Sequence, residues 1–235
     1  KISKSKGNGI SIDDWLKFAS KDSLILYMYQ NPRRAKKLTF DVIPKAVDEY
    51  QSFSEKYPNQ EAKDQLNNPV FHIHNGNPLI IESPVTFTLI LNLVSASQAS
   101  SKEVIWGFIK GYFKGISGEA SQYVDQLVVF ALEYYKEFVL PTKKYRKPEK
   151  QEIEYLKLLK KNLEEMKKET DPEKIQTIIY DIGMNSHFES LKDWFSALYE
   201  ILLGQTQGPR LGSFIILYGV KEFIDLIDKA IEGKL

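Results

Sequence analysis

From residue 10 onward, apolar side chains recur three and four positions apart in almost every segment, the spacing that lines them along one face of an α-helix. Ser11, followed by Asp13 and Asp14, opens a short helix to Ser20 with Trp15, Leu16 and Phe18 inward. A second helix runs from Asp22 to Gln30 and stops at Asn31-Pro32, because the residue before a proline is pushed out of helical geometry. A third, from Ile43 to Tyr57, carries Ile43, Val47, Tyr50 and Phe53 on one face and ends at Pro58. Between Asn59 and Ser83 the periodicity fails. Polar residues and Asn-Pro breaks surround a brief alternating run, Val70 to His74, which reads as one extended piece in a connector. The domain boundary is expected here, giving 1–60 and 61–235.

The helical pattern then resumes. Pro84 stands as a first helical residue before Val85, Leu89 and Leu93, and Ser101 with Glu103 opens a helix carrying Val104, Ile105, Phe108 and Ile109. Val124, Leu127, Val128, Ala131, Leu132 and Tyr135 form a stripe that ends at Pro141. Ile153, Leu156, Leu159, Leu163 and Met166 make a narrow seam in a strongly charged helix, and Asp171-Pro172 restarts the chain toward Ile175, Ile178, Ile179 and Ile182. Leu191, Phe195, Leu198 and Leu202 mark another helix. Gly204, Gly208, Pro209 and Gly212 mark a sharp loop, and Val220, Phe223, Ile224, Ile227 and Ile231 finish the chain. No strand series could build a sheet, so the expected fold class is all-α.

Of the 235 residues 43% are apolar, enough for one large core or two smaller ones. Lys+Arg 32 against Asp+Glu 31 leaves a net charge of +1, so any affinity for nucleic acid must come from local patches. Two exist: Arg33, Arg34, Lys36 and Lys37 beside Tyr27 and Tyr29, and Lys143, Lys144, Arg146 and Lys147 around Tyr145. The absence of cysteine removes disulfides and thiolate metal sites. No apolar run reaches the roughly 20 residues of a membrane span, and a cytoplasmic chain is expected. His72 and His74 would share a face of the extended piece, but two imidazoles with His187 remote fall short of a usual zinc site, and no metal is assigned.

The first nine residues, KISKSKGNG, alternate Lys1, Lys4 and Lys6 with small residues and predict a cationic loop on a helical base. Residues 1–5 resemble the KMSKS signature of class I aminoacyl-tRNA synthetases, with Ile2 in the methionine position and Gly9 where a bulkier residue is common. The stretch from KGN through SIDDWL, the NPRRAKK turn and LTFD, with AVDEY beyond it, is similar to the segment after this signature in the class I lysyl-tRNA synthetases. WFSALYEILLGQTQGPRLGSFIILYG, at 194–219, is similar to the end of their anticodon-binding region.

The resemblance implies a loop that closes over the ATP phosphates, with Lys4 as the chief contact and Lys1, Ser3 and Ser5 shaping it. Ammonium groups there would offset the charge that grows on pyrophosphate as the lysine carboxylate attacks. It also implies a C-terminal portion, inactive alone, of an enzyme that joins lysine to its tRNA with ATP and magnesium. The family's HIGH motif lies before KMSKS, so HIHN at 72–75 is an imitation on the wrong side of it. The first basic patch would contact tRNA phosphates in a stem-contact module. The second, within a helical cage, would grip a uridine-rich anticodon through Tyr145, Arg146 and Trp194. Trp194, in an apolar stripe, reads more often as core than as a stacking ring, and Arg210 would either touch the anticodon loop or cap a helix. A glutamyl-tRNA synthetase shares this architecture, and a helical adaptor that binds protein partners, which would expose an apolar groove and show no salt-sensitive tRNA affinity, is the alternative from another class.

Overall fold

The computed structural model describes residues 10–36, 38–116, 118–166 and 171–235. Among them are thirteen α-helices and no strand, so the fold is all-α. The helices are α1 (Ile12–Leu16), α2 (Lys21–Tyr29), α3 (Ile43–Lys56), α4 (Ala62–Asn67), α5 (Pro69–Ile73), α6 (Phe87–Ser97), α7 (Lys102–Tyr112), α8 (Gly118–Tyr134), α9 (Lys150–Glu165), α10 (Pro172–Met184), α11 (Leu191–Leu202), α12 (Leu211–Tyr218) and α13 (Val220–Ile231). They form two compact units interleaved in sequence. The first holds the described residues up to Leu91 together with Gly115–Tyr134, and the second holds Asn92–Lys114 and Tyr135–Leu235. One cut at residue 60 does not separate these units, because 61–91 belong to the first.

In the first unit Ser11 caps α1 as expected. Its hydroxyl accepts from the Asp14 N–H at 3.1 Å, and the Asp14 carboxylate accepts in return from the Ser11 N–H at 3.3 Å. Helix α1 is shorter than the pattern predicts, and Leu16 faces outward while Trp15 and Phe18 are buried. The Trp15 indole N–H donates to Ser23 Oγ at 3.2 Å, which ties α1 to α2. Asn31 stops the chain beyond α2 with a positive φ of 50°. The core is aromatic: Phe18 meets Phe40 and Tyr134 edge-on, and Tyr134 meets Phe87 in the same way.

The segment 59–83 departs from the sequence reading. Asn68-Pro69 starts a helix instead of ending one, with Asn68 Oδ1 accepting from the Val70 N–H at 3.1 Å and Pro69 in the first turn. Val70 to His74 is therefore helical, not extended, and its histidines take separate partners. His74 Nε2 lies 3.0 Å from the Tyr50 hydroxyl, and His72 Nε2 lies 2.8 Å from the Leu66 carbonyl. Pro84 precedes its helix: α6 begins at Phe87, and the Asp48 carboxylate of α3 accepts from the Thr88 N–H.

In the second unit the charged helix α9 buries Leu156, Leu159 and Leu163, and Lys160 bridges to Asp228 of α13 at 2.6 Å. Gly212 belongs to α12, not to the preceding loop, and α12 itself is apolar on every side and buried. Trp194 on α11 is 1% exposed and rests on Gly183 of α10, where a Cβ would stand 2.3 Å from the indole Cδ1. A methyl group at Gly183 therefore displaces the ring, whereas Gly107 of α7 has nothing within 4 Å. Gly183→Ala is expected to lower unfolding stability by about 1–3 kcal/mol. Gly107→Ala should raise it by about 0.5–1 kcal/mol. Urea unfolding of the two variants checks the contrast, and equal effects would contradict this packing.

Candidate nucleic-acid interface

Lys1, Ser3, Ser5, Lys4 and Lys37 lie outside the described residues. What the structure gives is the base beyond the loop, the Ser11 cap and the buried Trp15.

In the first patch the cations divide. Arg33 and Arg34 are exposed in the turn after α2, and among the described residues neither has an ion-pair partner. Lys36 is turned back on the protein. Its Nζ donates to the Tyr27 carbonyl and stands 4.7 Å from the Tyr27 ring centroid, and burial lowers its pKa. A groove of about 440 Å³ opens beside them, lined by Tyr27, Arg34, Lys36, Asp41, Lys45 and Glu49 among others. The sequence singles out none of Asp41, Lys45 and Glu49; Asp41 stands in the 3-10 turn Phe40–Val42, and Lys45 and Glu49 lie four apart on α3, a spacing that puts both on one side of the helix.

The second patch divides in the same way. Residues 143–149 run extended between the 3-10 turn Leu140–Thr142 and α9. The Lys144 N–H donates to the Gly204 carbonyl at 3.0 Å and the Arg146 N–H to the Glu200 carbonyl at 3.2 Å. Only glycine suits position 204: its φ is +67°, and a Cβ would meet Lys143 Cγ at 2.9 Å. Lys143 Nζ donates to the Ser95 carbonyl at 2.6 Å and lies 4.8 Å from the Tyr145 ring centroid. Tyr145 is half-buried, with one face under that amine.

Arg146 binds the Glu152 carboxylate through Nη1 and Nη2, both at 2.8 Å, and Glu200 through Nε at 2.9 Å. Glu152 is 4% exposed. Burial pushes its carboxyl up, but the Arg146 guanidinium and the Glu149 N–H outweigh this and hold it below the usual range. Lys144 and Lys147 remain exposed, with no ion pair among the described residues.

Trp194 offers no open ring. Its indole N–H donates to the Ile179 carbonyl at 2.9 Å, with Tyr155 edge-on and Phe188 tilted against it. The expected stacking role fails on burial, and the core reading is the one the structure supports. Arg210 precedes α12, where its carbonyl accepts from the Phe214 N–H at 3.0 Å and its guanidinium pairs with Glu173 on the surface. An exposed pair of this kind is weak enough to exchange for another anion.

Burial lowers the Lys143 ammonium to about 8 from 10.5. Between those values the unfolded chain holds a proton that the folded chain has released, so stability rises with pH across this window. Replacing Lys143 by Met removes that increment. The stability of the unsubstituted chain relative to Lys143→Met should therefore climb from pH 8 to pH 10.5 in urea titrations, and a flat difference would contradict the buried amine.

Comparison with known proteins bears on what such a surface serves. Residues 1–77 match the family model described as tRNA synthetases class I (K). Over its whole length the chain is 49% identical to the lysine–tRNA ligases of Rickettsia felis, Rickettsia peacockii and Rickettsia africae. It spans 44–45% of the length of those relatives. The family model takes in the portion that begins at KISKS and runs through α1 to α5, and the similarity to the lysine–tRNA ligases continues along everything after it.

Proposed function

We propose that this chain is the C-terminal portion of a cytoplasmic lysine–tRNA ligase, supplying the KMSKS loop and the tRNA-binding surfaces to an enzyme that joins lysine to its tRNA using ATP and magnesium. The observation that carries this reading is the whole-length identity of 49% to lysine–tRNA ligases. The loop and the first unit, which reaches Leu91 and includes Gly115–Tyr134, take the stem-contact role, and the second unit takes the anticodon-binding role. In the loop, Lys4 neutralises the charge that develops on the leaving pyrophosphate, with Lys1, Ser3 and Ser5 arranging it around the phosphates. Alone, the chain forms no lysyl-adenylate.

Phosphate contact falls to cations that the fold has left uncommitted, Arg33 and Arg34 in the first patch and Lys144 and Lys147 in the second; Lys37, outside the described residues, is a further candidate from its place in the sequence alone. Tyr145 has at most one ring face to offer an unstacked uridine, and Arg210 can trade Glu173 for a phosphate. Trp194, Lys143 and Arg146 serve the interface by holding its shape.

Titration of this chain with lysine tRNA, glutamate tRNA and an anticodon-swapped lysine transcript tests the assignment. Lysine tRNA is expected to bind most tightly; equal affinity for all three would remove the specificity. In the full-length enzyme, Lys4→Ala should slow ATP–pyrophosphate exchange at least about a hundredfold, the scale of losing one transition-state contact. Its tRNA affinity should hardly change, and an unaltered exchange rate would end the role given to Lys4.

A further inference from the structure

Resting on the stem-contact role given above, the geometry points to the groove beside Arg34 as a reader of ribose: it takes a sugar–phosphate unit of an RNA strand, with Asp41 accepting a hydrogen bond from the 2′-hydroxyl. The groove is mixed in charge. Arg34, Lys36 and Lys45 supply cations, and Asp41 and Glu49 supply carboxylates. Three of these charges are already engaged: Lys36 donates to the Tyr27 carbonyl, and Glu49 and Lys45 form an exposed pair at 3.7 Å. Asp41 is exposed in the 3-10 turn Phe40–Val42 that leads into α3, and among the described residues no ion pair holds it.

A surface that met phosphate alone would be weakened by a carboxylate at this place, since like charges across a few ångströms repel. The carboxylate becomes favourable when a donor stands between it and the phosphate. A sugar–phosphate backbone carries one such donor in RNA and none in DNA, the 2′-hydroxyl, which is the group that lets a protein separate the two. Arg34 positions the phosphate and Asp41 reads the hydroxyl beside it, and Lys45, whose exposed pair with Glu49 is weak enough to exchange, can turn to the next phosphate. The division matches the general one in which phosphate contacts set register and other groups supply selectivity.

The test uses this chain with an RNA hairpin copied from the inner stem of lysine tRNA and a DNA hairpin of the same sequence. The unsubstituted chain should prefer RNA by about tenfold, the size of one hydrogen bond to a charged group. Asp41→Ala should bring the ratio close to one by weakening RNA and leaving DNA equal or tighter. Asp41→Asn, which keeps a neutral acceptor, should give an intermediate ratio. Asp41 is exposed, so both variants should fold, which circular dichroism checks. Arg34→Ala should weaken both hairpins alike. A ratio unchanged in Asp41→Ala, or both hairpins tightening equally in Asp41→Ala and Asp41→Asn, would overturn ribose reading and leave tRNA binding intact. Failure of the unsubstituted chain to bind the RNA hairpin would overturn the stem-contact role and this inference together.

Discussion

The guanidinium of Arg146, gripped by Glu152 through two nitrogens and by Glu200 through the third, fastens the extended segment 143–149 to the start of α9 and to α11. Glu152 is buried, and a buried carboxylate that loses its partner costs about 3–5 kcal/mol. A phosphate could recruit Arg146 only by stranding that charge. The segment's backbone donors to Glu200 and Gly204 and the Lys143 amine on the Ser95 carbonyl hold the same course. With Arg146 and Lys143 committed inward, Lys144 and Lys147 are the cations that this stretch presents to solvent.

The same economy governs the turn after α2. Lys36 is spent on the Tyr27 carbonyl and ring, and Arg33 and Arg34 stay outside. A basic run is thus a mixture of structural and interfacial charges. The structural ones shape the surface, and the interfacial ones, solvated and unpaired, can release counterions when a polyanion arrives.

The periodicity of apolar residues made most of this fold legible. It placed α2 and α3 within a residue of their observed ends, and the stripes it marked at 153–166, 175–182 and 220–231 fall on α9, α10 and α13; α3, α9, α10 and α13 each have one wet face, whereas α2 was bounded by its Asn31-Pro32 stop. Where a helix lacks that contrast the pattern is silent, as at α12, whose Leu211, Phe214, Ile215, Ile216 and Leu217 are all buried. The connector at 59–83 misled for another reason. Asn68-Pro69 suits a helix start as well as a break, and the alternation of Val70 to His74 is a coincidence of short helix and composition. At the candidate site the sequence showed which cations cluster, but not which are spent. Some partners are distant along the chain, Ser95 for Lys143 and Glu200 for Arg146, and the nearer ones, Glu152 for Arg146 and Tyr27 for Lys36, become partners only through the fold. Trp194 was visible as an aromatic, and only its seat on Gly183 decides that it is core.

This partition of charges is tested directly by the salt dependence of the proposed tRNA binding. Each phosphate neutralised contributes roughly 0.9 to the slope of log affinity against log salt for duplex nucleic acid. Removing Arg33, Arg34, Lys144 and Lys147 together should reduce that slope by about three to four. Replacing the committed pair, Lys36→Met with Lys143→Met, should leave the slope as it was. A slope that falls with the committed pair and survives loss of the four exposed cations would contradict the account.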